Sequence, residues 1–439
     1  MKSRNPNNIR DWEFRGADTR RLTHGIHSYP AMMIPQIAGR LIADYGGGAK
    51  LLFDPYCGTG SSLLEANIRG INAAGADLNP LARLIARVKT TRLDCGRTAA
   101  HLRDLHDKLS VARFAGASAP PPPIKNMNFW FGEETRDALA AARGLIFAVA
   151  DADIRRFFLV AFSETVRECS YTRNGEFKMY RMTAAQREKF SPDMFGVLTA
   201  KLACNFAGMQ KYAAEIKRPD KTRVFDFDSA AEIPRALPPE CADIIVTSPP
   251  YGDSRTTVAY GQFSRLANEW LEYENAAAVD RKLLGGRPSK NAASLGCGKL
   301  DDAVGRVGET HPLRAREIRG FYEEYRRAAA HVARILKPGG FACYVVGNRK
   351  SKGVVLPTDE ATKAYFCENE FRVAAAFARD IPNKRMPSRN SPSNVAGARD
   401  DTMQREHIIV MQKRRQSASS ARVVLSSRRN FTARRELKN

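Results

Sequence analysis

The spacing of apolar and polar residues changes character several times along the chain, and each change marks an element or a boundary. Leu51-Leu52-Phe53 is a short apolar run that ends at Asp54-Pro55 and a glycine turn, Cys57-Gly58-Thr59-Gly60, before Ser61 to Ala66 takes up helical spacing. Ile71 to Ala76 makes a second strand ending at Asp77, and these two strand-helix units run from about residue 50 to 93. A helix is expected over 30–45, after Tyr29-Pro30. From Arg97 to about Lys217 the pattern is almost wholly helical, broken by the stiff run Ala119-Pro120-Pro121-Pro122-Pro123. Strand character returns at Thr222 to Phe227 and Ala242 to Thr247. A stretch over about 255–313, containing Gly285-Gly286-Arg287-Pro288, carries little regular signal. Arg314 to Leu336 then reads as a charged amphipathic helix, Phe341 to Val346 as a strand and Thr358 to Asn369 as a helix. Phe371 to Ala378 and His407 to Met411 read as a final strand pair. No internal repeat is present in the sequence.

This alternation predicts an α/β chain in four parts. Residues 1–95 hold the first strands, 96–218 a helical insertion and 219–412 the rest of the sheet region, itself interrupted at 255–313. Residues 413–439 form a tail with nine Lys or Arg and a single acid, expected to be disordered. Such a tail serves as a non-specific DNA tether or as a solubilising end, and the first reading is favoured.

Two loops carry chemistry. Thr247-Ser248-Pro249-Pro250-Tyr251-Gly252 directly follows the apolar run Ile244-Ile245-Val246. Its two prolines fix φ and remove two N–H donors, leaving carbonyls and the Ser248 hydroxyl as acceptors beside an aromatic ring. A flat base with an exocyclic amine needs such acceptors, although the same residues also suit an ordinary turn. In the glycine turn, small residues let backbone N–H groups approach a ligand, with a helix N-terminus behind them. Asp77 follows Gly60 by seventeen residues, near where dinucleotide-type folds place the acid that grips ribose hydroxyls. Together they predict a nucleoside site.

With both loops in view, the chain resembles the amino-methylating DNA methyltransferases, which use S-adenosylmethionine to modify N4 of cytosine or N6 of adenine. Asp54-Pro55-Tyr56-Cys57-Gly58-Thr59-Gly60 is similar to that family's first cofactor motif, Gly75-Ala76-Asp77-Leu78-Asn79-Pro80 to its second, and Thr247 to Tyr251 to its catalytic motif. His27 to Pro35 resembles the segment that closes over the cofactor, and Leu336-Lys337-Pro338-Gly339-Gly340 the turn before the fifth strand. The resemblance implies a Rossmann-like class I methyltransferase sheet with helices on both faces. It implies that Asp54, Gly58 and Gly60 hold the methionine moiety and Asp77 the ribose hydroxyls, with Pro55 and Leu78 also in the cofactor site. Asp228 would take the adenine amine, and Tyr29 and Pro30 would cover the cofactor. Asp226 and Asp228 share one face of an extended segment, and the resemblance favours Asp228, whose spacing to Thr247 is closer to that family's usual distance.

In the same reading Ser248 and the Pro249 carbonyl accept the amine hydrogens, Pro250 stiffens the loop and Tyr251 stacks on a base flipped out of double-stranded DNA. Cys57 is a small buried side chain rather than a nucleophile. Arg255, Lys384 and Arg385 are candidate DNA contacts, and a cognate restriction endonuclease is a candidate partner. The serine that opens the tetrad favours cytosine-N4; adenine-N6 and a guanine-N2 RNA methyltransferase are the alternatives.

Composition agrees. The chain has 439 residues and a net charge of +23, with a pI near 9.9, which favours a polyanionic partner. Eight scattered cysteines without a Cys-x-x-Cys pair argue against zinc and against disulfides, and no metal is expected. Met1 to Arg21 is polar and no run reaches membrane-spanning length, so a cytoplasmic protein without membrane contact is expected.

Overall fold

The computed structural model describes residues 12–115, 119–175, 177–216, 221–231, 233–253, 258–381, 389–390, 400–401 and 403–415. Seven strands make the main sheet: β1 (Leu51–Asp54), β2 (Asn72–Ala76), β3 (Thr222–Phe225), β4 (Ala242–Thr247), β5 (Leu336–Val346), β6 (Phe371–Asp380) and β7 (Arg405–Lys413). Their order in space is β3-β2-β1-β4-β5-β7-β6. β1 to β5 pair in parallel, and β7 runs antiparallel to both of its neighbours. The longer helices are α1 (Pro35–Tyr45), α2 (Ser61–Ile68), α3 (Pro80–Thr90), α4 (Cys95–Ala115), α5 (Glu133–Phe147), α6 (Ala152–Glu168) and α7 (Met194–Glu215), followed by α8 (Tyr260–Trp270), α9 (Gly298–Thr310), α10 (Pro312–Ile335) and α11 (Thr358–Cys367).

The run Ile244-Ile245-Val246 within β4 is continuously apolar because both faces of the sheet are covered. Ile244 and Val246, with Leu52, Cys343, Val345, Ile408 and Val410, join the core built with α1 and α2. Ile245, with Phe53, Ala342, Tyr344, Ile409 and Met411, joins the core built with α9, α10 and α11. The period of two along each strand thus sorts side chains between two helical layers. Together these features form the Rossmann-like sheet with helices on both faces that the motifs imply.

A third core lies beside the sheet, among α3 to α8, with Phe157, Phe158, Phe162 and Trp270 at its centre. Trp270, on α8, meets Phe131 at 5.6 Å and Phe162 at 6.1 Å between ring centroids.

Two expectations need correction. The stretch 255–313 holds two regular helices, α8 and α9. On α8 the buried face includes Ser264 and Asn268, and these polar residues hide the helical spacing. On α9 the stripe Leu300, Ala303, Val304, Val307 is regular but interleaved with acids and glycines. Leu336 to Gly340, expected as a turn, already belongs to β5: Leu336 pairs with Ala242, and the register slips before Ile244 meets Phe341.

Candidate active site

β1 and β4 lie side by side where the strand order reverses, and in open α/β sheets ligands bind in the crevice beyond the strand ends at that point. The loops that leave β1 and β4 meet there. Thr247 Oγ1 donates to Asp54 Oδ1 at 2.5 Å, which ties the proline loop to the glycine turn across 193 residues of chain. A cleft of about 910 Å³, including its open mouth, runs along these strand ends. Its wall takes Asp54, Pro55 and Gly58 from the first loop, Asp77 and Leu78 from the second, and Asp228 from the third. Ser248 and Pro250 come from the fourth, while Tyr29 and Pro30 close one side. Gly60, Pro249 and Tyr251 stand outside this lining. Arg255, Lys384 and Arg385, together with the tail from 416 onward, lie outside the described residues.

The two glycines of the turn do different work. A Cβ on Gly58, at φ +49°, would meet nothing within 4 Å, so backbone is bared to the cleft. A Cβ on Gly60, at φ +79°, would lie 3.0 Å from the Ala86 Cβ, so Gly60 lets α3 pack against the turn. Cys57 is buried under the turn, where a Cβ on Gly75 would strike it at 2.7 Å, and burial pushes its thiol well up.

Each acid has a distinct setting. Asp54 is buried and accepts from the Ser62 and Thr247 hydroxyls and from the Tyr56 N–H, so its carboxylate fixes the loops. Burial pushes its pKa up to about 6 against those hydrogen bonds. Asp77 accepts from Gly58 N at 3.1 Å and from Asn79 N at 2.7 Å, and enclosure also pushes it up to about 6. Asp228 faces the cleft, its Oδ1 accepting from Ala230 N at 2.9 Å. Asp226 is exposed, and both of its oxygens are held by Arg83, at 2.9 and 2.7 Å.

On the proline loop, Ser248 Oγ lies 3.1 Å from the Val345 carbonyl and 3.1 Å from Tyr251 Oη. Tyr251 Oη donates to Glu406 Oε1 at 2.9 Å, and Arg379 Nη1 donates to Glu406 Oε2 at 3.1 Å. Tyr251 has one proton and gives it to the carboxylate; Ser248 gives its own to Val345 or Tyr251. Both protons are committed within the protein, which leaves Ser248 Oγ as an acceptor toward the cleft.

Several participants escaped the sequence reading. Glu406 is one. Asn79, buried beside motif residue Asp77, donates to Tyr29 Oη at 2.8 Å and to Ser264 Oγ at 2.9 Å, and so locks the covering segment to α8. Tyr260, at the start of α8, stacks on Tyr29 with centroids 6.0 Å apart and lines the cleft. No sequence pattern marks either contact except the presence of Asn79 within the second motif.

The cleft chemistry suits a nucleoside carrying an amino-acid chain: Asp77 and Asp228 offer acceptors, Gly58 offers bare backbone, and Leu78, Phe227 and Leu284 offer apolar walls. Fold and cleft together define a Rossmann-like α/β protein with a ligand crevice at the switch point of its sheet. No family model matches the chain. It is 33% identical over 422 residues to the type II methyltransferase M.MvaI of Kocuria varians, covering 91% of this chain and 93% of that protein. A second similarity, to the type II methyltransferase M.MjaII of Methanocaldococcus jannaschii, is 33% over 85 residues, 19% of this chain and 16% of that protein. The chain therefore belongs to the type II DNA methyltransferases, whose methyl donor is S-adenosylmethionine. Among solved structures it is similar to a methyltransferase from Methanosarcina mazei, at 10% identity and a TM-score of 0.32, over 89% of this chain and all of that one.

Proposed function

We propose that the protein methylates the N4 amine of cytosine at a specific site in double-stranded DNA. The observation that carries this reading is Ser248 in the cleft wall with its own proton turned inward, beside the glycine turn of β1. A cytosine amine is a poor nucleophile because its lone pair is delocalised into the ring. Ser248 Oγ and the Pro249 carbonyl accept its two hydrogens and localise that pair on nitrogen. Positioning and fixed dipoles supply the acceleration, and no covalent enzyme intermediate is needed.

Asp77 holds the ribose hydroxyls of the cofactor, Asp228 its adenine amine and the Gly58 backbone its methionine end, with Asp54, Pro55 and Gly60 shaping the turn behind. Leu78 flanks the adenine, and Tyr29 and Pro30 close over it. When bound, the cofactor supplies an electrophilic sulfonium methyl. Tyr251 stacks on the flipped base, its ring oriented through Glu406. The opening serine of the tetrad is the feature that favours cytosine over adenine.

Incubation of the full chain with unmethylated genomic DNA and labelled cofactor, followed by nucleoside mass spectrometry, tests this reading. N4-methylcytosine is expected. N6-methyladenine would replace the base assignment, and the absence of any methylated nucleoside would overturn the proposal.

A further inference from the structure

Residues 171–175 and 177–182 form the two arms of a hairpin that leaves the helical region between α6 and α7. Arg173 N donates to Tyr180 O at 2.9 Å and Met182 N to Tyr171 O at 2.8 Å, and Thr172 bridges Arg181. A short helical turn, Ala184–Glu188, follows, closed by a Thr183-Gln186 capping box. Over 171–190 the sequence holds five cations, Arg173, Lys178, Arg181, Arg187 and Lys189, against the two acids Glu176 and Glu188.

Two of these cations are set in an unusual way. The Arg181 guanidinium lies 3.9 Å over the Phe129 ring and 5.8 Å from the Tyr171 ring, and Arg187 lies 5.8 Å from the same tyrosine. Among the described residues neither guanidinium has a carboxylate partner, and the Nε of each is buried without an acceptor. Aromatic faces hold these groups in place without a carboxylate beside them. Around them Phe129 and Tyr180 are each 45% exposed.

The hairpin also stands beside the cleft. Met179 N donates to Gln262 Oε1 at 3.3 Å, and Gln262 is two residues along α8 from Tyr260, which lines the cleft. A duplex that delivers a base to that cleft passes over the surface next to it.

We infer that the basic, aromatic face formed by residues 171–190 and Phe129 binds the phosphate backbone of duplex DNA, with Arg181 and Arg187 as its anchoring cations. This rests on the proposed DNA substrate. It assigns DNA contact to the helical insertion at 96–218. Positive charge, guanidinium groups without a carboxylate partner among the described residues, and exposed rings match a phosphate-rich partner better than an apolar one.

The test measures affinity for a 30-base-pair duplex over a salt series, together with cofactor affinity, for the full-length wild type, Arg181→Gln/Arg187→Gln and Lys178→Ala/Lys189→Ala. Each double variant is expected to weaken duplex binding at least about tenfold and to flatten the log-log salt slope by about 2, with cofactor affinity unchanged. The lysine pair packs on no ring in the hairpin and decides the matter if the arginine pair damages folding and lowers cofactor affinity. Wild-type duplex affinity and slope in a variant with intact cofactor binding overturns the inference. So does tighter wild-type binding to single-stranded RNA than to duplex at equal salt. A wild type that binds no duplex at all refutes the DNA substrate itself and is thereby told apart.

Discussion

Replacing Glu406 by alanine tests whether Ser248 works as an acceptor. At 2.9 Å the Glu406 carboxylate takes the only hydroxyl proton of Tyr251, whose oxygen lies 3.1 Å from Ser248 Oγ. Without the carboxylate that proton turns to Ser248 and occupies a lone pair that the substrate amine needs. Loss of one transition-state hydrogen bond of about 1.4–2.7 kcal/mol slows methyl transfer about 10- to 100-fold. The same change strips Arg379, only 6% exposed, of its carboxylate and lowers stability by about 3 kcal/mol or more. Rates are therefore read in single turnover at saturating cofactor and DNA, well below the melting temperature of each variant. Tyr251→Phe separates the two effects, because it keeps the stacking ring and removes the proton that would go astray. Alone it should cost less than about threefold. Glu406→Ala in the Tyr251→Phe background should cost little more, although Arg379 is as exposed to loss there as in the single variant. The double variant is then faster than Glu406→Ala, a coupling of about 1–2 kcal/mol. Additive losses, with the double variant the slowest of the three, would refute the proton arrangement.

Ser248→Ala should lower the rate of methyl transfer at least about tenfold with unchanged cofactor affinity by calorimetry; a wild-type rate removes Ser248 from the chemistry. Asp77 is pushed up to about 6 by enclosure and, in the proposed cofactor pose, must be ionised to accept from ribose hydroxyls, so cofactor affinity should fall about tenfold between pH 7.5 and pH 5. Titrations of Asp77→Asn should show a weaker but flatter profile, and an equally steep one would place the titration elsewhere. Lys89 is buried, hydrogen-bonds Thr59 Oγ1 at 3.2 Å and has no carboxylate partner among the described residues; burial lowers its pKa from 10.5 to about 7. Because this folded-state pKa is depressed, its contribution to stability is complete above pH 10.5 and is lost as pH falls through 7. Lys89→Met should therefore stabilise the fold, by on the order of 3 kcal/mol more at pH 6 than at pH 9. Chemical denaturation at the two pH values checks this, and a larger gain at pH 9 contradicts it.

What the sequence made legible was local, and what it hid was register. β4 announced itself because its centre, Ile244-Ile245-Val246, is covered on both faces and so must be apolar, and the prolines after it can continue neither strand nor helix. The glycine turn stood out too, yet the sequence gives no means of telling Gly58, which bares backbone to the cleft, from Gly60, which makes room for Ala86. Asp226 and Asp228 share a face of the extended chain, and only Arg83, 143 residues before Asp226, draws one of them out of contention. Glu406 is the hardest case. It lies 155 residues after Tyr251, on a strand whose antiparallel course places His407 opposite Val346 and thereby brings its neighbour Glu406 to the proline loop. Insertion of β7 between β5 and β6, not any spacing in the chain, makes that carboxylate part of the site. A one-residue slip of β7 would turn Glu406 to the opposite face of the sheet and free the Tyr251 proton for Ser248. In the proposed mechanism the pairing of β5 with β7 therefore governs the proton arrangement at Ser248 as directly as any residue in the tetrad.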